Sequence, residues 1–359
     1  MSDEETPMRD LAALLWPWAV WAVLLLALTL VFSQISPAMA RITTDTLIKL
    51  VIVTGLYIFV GNSGILSFGH GAFLIVAAYA SAWVTIPLAM KGVILPGLPE
   101  VLRGLQLSPL GGLLTGMAVA GGLGLLAGIP LMRLSGIAAS IATFAFFIVI
   151  SVIYNNWTDW TKGTASLVGL PTWVGPWAAL AAALVALMIA WIFQNSRAGL
   201  LLRASREDLV AAHGAGIRVM RLRLLAFVLS ATVAGAGGVM LGHNNGALTT
   251  ANNVYLNLSF IVIAMLVVGG IRSLSGVVVG TLALSVLAEI FRRFETGVEI
   301  GGMMLQIPGG SREVLLGLCM LLALIMRPDG LSRGRELPVP GFLRGGRAKA
   351  AKTETEALQ

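Results

Sequence analysis

The sequence predicts an all-α fold, a polytopic membrane helix bundle of about 8–10 transmembrane helices with broken or re-entrant segments. Two observations carry that expectation. The 359-residue chain is 57% hydrophobic and only 11% charged, with a mean hydropathy of +0.89. A soluble domain carries about 25% charged residues, and so apolar a chain lacks the polar cover that a surface in water needs. The apolar residues also fall into runs, most of them near the roughly 20-residue length that spans a bilayer. The net charge of +7 would suggest nucleic acid in a soluble protein. Here the basic residues sit in loops between apolar runs, where they act as the orientation signal of membrane proteins, and no nucleic-acid partner is expected.

Taken in order, residues 1–10 (MSDEETPMRD) are an acidic N-terminal segment ahead of the first apolar run, 11–32. That run is longer than a signal-peptide core, so it reads as a retained helix. The following runs are 44–61, 66–90, 110–132, 136–154, 172–194, 224–243, 257–271, 273–291 and 313–327, which make 11–327 one transmembrane domain. Segment 257–271 is short, and 66–90 opens on Gly69-His70-Gly71. Either fits a broken or re-entrant element, which membranes tolerate only where it is buried in protein or lines a wet cavity. Residues 328–359, with Pro338, Pro340 and scattered Lys and Arg, read as a disordered basic tail drawn to anionic lipid.

Ten crossings put both termini on one side, and that side collects sixteen of the 24 Lys and Arg residues against eight on the other. The bias predicts cytoplasmic termini, although Arg292-Arg293 falls on the poorer side. Trp157, Trp160, Trp173 and Trp177 flank the loop 155–171 as an interfacial aromatic belt would. The 42 glycines include Gly121-Gly122 with Gly124, and Gly235 with Gly237-Gly238, which suit close helix packing in lipid. Leu66-Ser67-x-Gly69-x-Gly71 and Leu274-Ser275-Gly276-x3-Gly280 form a faint internal echo, each after a glycine-ended apolar run. Duplicated transporter halves place interrupted segments in this way.

Catalytic motifs are missing from the sequence. No phosphate-binding G-x-x-x-x-G-K-[ST] loop, G-x-S-x-G elbow or H-E-x-x-H pair occurs. His70, His213 and His243 are far apart, and Cys319 is the lone cysteine, so neither a metal site nor an internal disulfide is expected. The chain is therefore read as no enzyme and as binding no cofactor itself; a nucleotide-driven step would need ATP and Mg on a partner. Asp45, Lys49 and Glu289 lie only near span ends, which argues against an ion-coupled porter with a mid-membrane charge.

The loop 195–223 predicts a short helix over 205–213, N-capped by Ser205, with Glu207 and Asp208 in its first turn and Gly214 or Gly216 at its close. Such a helix is a candidate knob for a partner's groove, and equally a basic connector held at lipid headgroups. The stretch Val210-Ala211-Ala212-x3-Gly216 resembles the E-A-A-x3-G loop by which ATP-binding-cassette importer permeases dock on their ATPase, with Val210 in place of the Glu and no following I-x-L-P. Gly55-Leu56 through Gly61-Asn62-Ser63-Gly64 to Leu66-Ser67-Phe68-Gly69-His70-Gly71-Ala72-Phe73 resembles the signature of branched-chain amino-acid permeases. So do Asn155-Asn156-Trp157 with Gly163, Ser196-Arg197-x-Gly199 with Arg203-Ala204-x-Arg206-Glu207, and Val268-Gly269-Gly270 with Ser273-Leu274-x-Gly276. Lys162 and Ala165-Ser166 depart from the family's usual residues. The resemblance spans roughly 45–327 and is nearer the second permease type of the high-affinity branched-chain uptake system.

This resemblance implies a permease subunit of an ATP-binding-cassette importer in the bacterial inner membrane. Its partners would be a sister permease, two ATP-binding-cassette ATPase subunits and a periplasmic solute-binding protein, with membrane lipid around it. The cargo would be branched-chain amino acids, or urea, amides or other amino acids as in relatives. A stand-alone channel or facilitator is the alternative. The coupling residues it implies are Arg203, Arg206, Glu207, Asp208, Ala211, Ala212, Gly214 and Gly216. Asn62, Ser63, Ser67, Gly69, His70 and Gly71 are the candidate path residues beside an interrupted helix, with helix packing the competing role for His70 and the glycines.

Overall fold

A computed structural model describes residues 5–250, 254–300, 303–305, 307–327 and 329–338. Helices dominate. They are α1 (Glu5–Ile35), α2 (Pro37–Ser63), α3 (His70–Thr85), α4 (Leu88–Ile94), α5 (Glu100–Arg103), α6 (Pro109–Leu131), α7 (Gly136–Asn156), α8 (Thr158–Thr161), α9 (Pro176–Asn195), α10 (Arg197–Glu207), α11 (Leu209–Gly214), α12 (Val219–Asn245), α13 (Val254–Gly269), α14 (Leu274–Thr296) and α15 (Ser311–Met326). Two small antiparallel pairs complete it: β1 (Leu167–Val168) with β2 (Ala247–Leu248), and β3 (Val298–Ile300) with β4 (Met303–Leu305). Among the described residues, seven helices are long and apolar enough to cross a membrane. The protein is a multi-pass membrane bundle.

Local chemistry sets the ends of the long helices. Ser36 caps α2 by accepting from Met39 N at 3.2 Å, and Pro37 occupies the first turn, where no intrahelical N–H is needed. At the other end Gly64 adopts φ 73°, and its N–H returns to Val60 O at 2.9 Å. Ser108 and Ser273 cap α6 and α14 in the same manner, accepting from Gly111 N and Gly276 N.

The bundle is organised around α2 and α12, with α3, α6 and α9 against them. Every residue of α2 from Leu50 to Ser63 is buried, so this helix meets protein on all sides over its second half. Small residues permit the approach: a Cβ on Gly55 would lie 2.6 Å from Ala234 N of α12. Where α13 crosses α14, a Cβ on Gly280 would overlap the Met265 carbonyl oxygen. Successive long elements alternate in direction. The ends of α2, α9 and α13 and the starts of α12 and α14 gather at the α10–α11 end, while Ala38, Asn245 and Arg292 mark the far end. Residues 329–338 return to the α10–α11 end.

Each predicted apolar run except 66–90 falls on a single helix, with shifted ends. The run 66–90 is not one helix: residues 64–69 leave helical geometry, α3 occupies 70–85, and α4 is separate. At 1.5 Å per residue, sixteen-residue α3 and α13 extend about 24 Å, short of the roughly 30 Å hydrocarbon core. Fifteen of the sixteen α3 residues are buried, so its short length and open ends meet protein rather than lipid. The first helix starts at Glu5, inside the segment expected to precede it.

The tail expectation also changes. Residues 329–338 are packed rather than disordered, with Leu331 N donating to Val268 O at 2.8 Å and Ser332 N to Gly269 O at 3.0 Å. These bonds satisfy carbonyls that the end of α13 leaves open. Residues 339–359 lie outside the described residues, as do 1–4 at the other end. The aromatic cluster is ordered: Trp157 stacks on Trp160 with centroids 4.6 Å apart, and Trp83 Nε1 donates to Trp160 O at 2.8 Å.

Candidate functional site

The loop 195–223 holds two helices instead of the single one expected over 205–213. Asp208, in extended backbone, separates α10 from α11, and its carboxylate accepts from Val210 N at 2.8 Å and Ala211 N at 2.9 Å. Asp208 is thus the cap, not Ser205. Ser205 is buried inside α10 and donates to Leu202 O at 2.7 Å, a back-bond that removes it from capping. Glu207 ends α10 and holds Arg206 at 3.0 Å on the surface.

Closure of α11 uses both glycines. Gly214 is its last residue, and Gly216 sits at φ 74°, a region open to glycine without steric penalty. There Ile217 N reaches Ala212 O at 3.0 Å. Ala212 is buried beneath the turn, whereas Val210 is 82% exposed and Ala211, His213, Gly214 and Gly216 are exposed. A small knob thus stands out from the bundle.

Behind it, α10 is fastened to α2. Arg203 Nε donates to Asn62 Oδ1 at 2.8 Å and its Nη2 to Gln194 O at 3.1 Å. Arg206 Nη1 donates to Gly61 O at 3.0 Å, while its methylenes lie over Gly64, where a Cβ would come within 2.5 Å. Tyr57 Oη donates to Gln194 Oε1 at 2.7 Å, and Gln194 Nε2 to Glu336 Oε1 at 3.3 Å. Glu336 then accepts from Leu274 N at 2.7 Å, Ser275 N at 3.1 Å and Ser275 Oγ at 2.8 Å. A carboxylate at the first amides of α14 is favoured by the helix dipole. Sequence reasoning missed Tyr57, Gln194 and Glu336, which carry no motif and meet only through folding.

The candidate path residues separate into two groups. Asn62 and Ser63 end α2, with Asn62 Nδ2 donating to Ile58 O at 2.9 Å and Ser63 Oγ accepting from Ile65 N at 3.2 Å. Ser67 and Gly69 lie in the break before α3, and His70 and Gly71 open that helix. His70 is 4% exposed among Phe59, Phe73 and Phe227. Its Nε2 lies 2.5 Å from Ser230 Oγ, which donates to Gly55 O at 2.6 Å, so the proton sits on Nε2 and Ser67 Oγ serves Nδ1 at 3.0 Å. The ring thereby ties α3 to α12 and α2. Gly69 and Gly71 face Thr143 O and the Phe147 ring across α7. The cavity beside His70 is about 10 Å³, at the lower limit for one water. Ser67, His70 and Gly71 pack α3 against its neighbours here, and the cavity they line is smaller than an amino acid.

The structure defines a multi-pass membrane helix bundle with a short exposed helix, α11, at one end. The sequence comparison identifies which kind. Residues 38–324 match the family of branched-chain amino acid transport system permease components, and the chain belongs to it. It is 26% identical to the high-affinity branched-chain amino acid transport system permease protein LivM of Salmonella typhimurium, over 86% of this chain and 73% of that protein. LivM of Escherichia coli gives the same identity and coverage. The autoinducer 2 import system permease protein LsrC of Klebsiella pneumoniae is 26% identical over 56% of this chain and 57% of its own length.

Proposed function

We propose that this chain, a permease subunit of an ATP-binding-cassette importer, carries branched-chain or related amino acids inward when partner ATPases push on α11. The observation that carries the reading is the pair of bonds from α10 into the end of α2, Arg203 to Asn62 and Arg206 to Gly61 O. Force applied to the exposed knob reaches the buried second half of α2 through charge-assisted bonds. ATP and Mg belong to the two partner ATPase subunits, and this chain contributes no catalysis. A sister permease completes the path, consistent with the lack of a solute-sized cavity around His70, and a periplasmic solute-binding protein delivers cargo to the far end. The α10–α11 end then faces the cytoplasm of a bacterial inner membrane. Its excess of Arg, including Arg197, Arg203, Arg206, Arg218, Arg221 and Arg223, supports that orientation.

The test is co-reconstitution with the partner chains in liposomes and measurement of receptor-stimulated ATP hydrolysis. Gly216→Trp and Ala212→Asp should abolish stimulation while the complex still assembles, since one strains the turn at Gly216 and the other puts a charge beneath it. Solute flux through this chain alone, without nucleotide, would replace the import reading with a facilitator.

A further inference from the structure

The far end of the bundle holds a polar cavity that the coupling reading leaves unused. It measures about 410 Å³ and opens between α2, α14 and the last turn of α12, within the range of about 300–1,000 Å³ for small-molecule sites. Arg41, Asp45 and Lys49 line it from α2, and Ser285, Glu289 and Arg292 from α14. Each trio follows helical spacing of three or four, so each forms one stripe on one face. Asn244 and Asn245 close the third side.

The charges are unevenly committed. Asp45 holds Lys49 Nζ at 2.6 Å, and Glu289 receives Arg292 through two bonds of 2.7 Å and Arg293 at 3.1 Å. Arg41 has no ion-pair partner among the described residues. The lining thus carries three cations against two carboxylates, which favours an anionic group at Arg41. Deeper along α14, Ser285 is 6% exposed, and its Oγ has no hydrogen-bond partner among the described residues. A buried hydroxyl left unpaired is costly, and one lining a charged cavity points to a group that arrives from outside.

We infer that this cavity is a solute site for a small α-amino carboxylate on its way into the permease. Arg41 takes the carboxylate, Ser285 supplies a second hydrogen bond at the wall, and the Asp45 and Glu289 oxygens with the asparagine carbonyls offset the ammonium. The inference rests on the import reading for its direction, but the site is defined by its own residues.

The test uses the full chain in phosphatidylcholine nanodiscs, with tritiated L-leucine and its amide as probes. Arg41→Gln should weaken leucine binding about tenfold or more and Ser285→Ala about threefold, by the usual worth of charged and neutral hydrogen bonds. Leucinamide, lacking the carboxylate, should bind weakly and be indifferent to Arg41→Gln. Equal leucine binding by the wild type and Arg41→Gln, or none by the wild type, overturns the inference. So does a variant that keeps leucine binding yet loses capture of the solute-binding protein, because the carboxylate would then be that protein's. Nucleotide-driven uptake by the assembled importer is measured in parallel. Uptake that persists without any effect of the cavity variants sinks only this site, and absent uptake with leucine binding intact sinks only the import reading.

Discussion

Arg203 of α10 and Asn62 of α2 meet through a 2.8 Å hydrogen bond from a guanidinium to a side-chain carbonyl. Asn62 is fully buried, and its amide nitrogen is already committed to Ile58 O. Arg203→Ala therefore strands a buried acceptor and loses the tie to Gln194 O. The expected loss is about 1–3 kcal/mol of stability, read as a lower melting temperature in detergent. Receptor-stimulated ATP hydrolysis should fall further than stability alone explains. Arg203→Lys should recover part of the stability but little of the coupling, because a point charge cannot reproduce the fork.

Asp208 caps α11 through two backbone amides. Asp208→Ala should fray this helix, at about 1 kcal/mol for a lost cap. Hydrogen exchange at Val210 and Ala211 would speed up while exchange in α2 stays unchanged. Asp208→Asn keeps the accepting oxygen and should restore slow exchange. Unchanged protection in Asp208→Ala would show that Gly216 and the Ile217 to Ala212 bond hold the turn by themselves.

The crossing of α13 and α14 admits no side chain at Gly280, where an added Cβ would overlap the Met265 carbonyl oxygen and crowd Gly269. Gly280→Ala should sharply reduce the yield of folded protein, because backbone rather than a flexible side chain has to move. Gly122 of α6 has nothing within 4 Å of an added Cβ. Gly122→Ala should be neutral or slightly stabilising through helix propensity. Monodisperse yield by size-exclusion chromatography compares the two.

Lys91 of α4 is buried and donates to Leu102 O at 3.2 Å and to Leu105 O. Burial pushes its ammonium below the ordinary value of 10.5. The folded chain then releases this proton at lower pH than the unfolded chain. Stability contributed at Lys91 rises with pH between the folded value and 10.5, and is level above it. Melting temperatures recorded as pH rises toward 10.5 should show a positive slope that flattens in Lys91→Met. An identical slope in both proteins would assign the trend to other groups.

Glu336 fixes the returning chain segment to the first amides of α14 and to Gln194. Glu336→Ala should release residues 329–338 from the α13–α14 junction, seen as faster exchange at Leu331 and Ser332. Exchange at Leu274 and Ser275 should rise too, since the cap on those amides is lost. The fold of α2, α3 and α12 should persist, because α2 meets this carboxylate only indirectly, through Tyr57 and Gln194.

Much of the bundle was legible in the sequence because lipid imposes a simple rule. Each spanning segment must satisfy its own backbone, so apolar runs report helices one by one. Gly69-His70-Gly71 announced a break, and the structure starts α3 at His70. Gly214 and Gly216 announced the end of a loop helix, and both close α11. The cap was misassigned because Ser205 and Asp208 are both good capping residues, and sequence does not reveal that Ser205 would turn inward to Leu202 O. The tail looked disordered because its composition is polar and proline-bearing, while Glu336 reads as an ordinary surface acid until it is placed against an open helix end.

The sequence by itself determined the solvent, the helices, the family and the exposed knob, since these follow from local composition, short motifs and glycine geometry. Only the tertiary structure decided what the polar residues do. His70 became a packing residue when Ser230 and Ser67 took both its ring nitrogens. Arg203 became a link when α10 came to lie beneath the end of α2. Arg41 and Ser285 came to share one cavity because α2 and α14 pack side by side. Such pairings depend on distances between segments hundreds of residues apart, and a buried polar group takes its role from whichever partner the fold delivers.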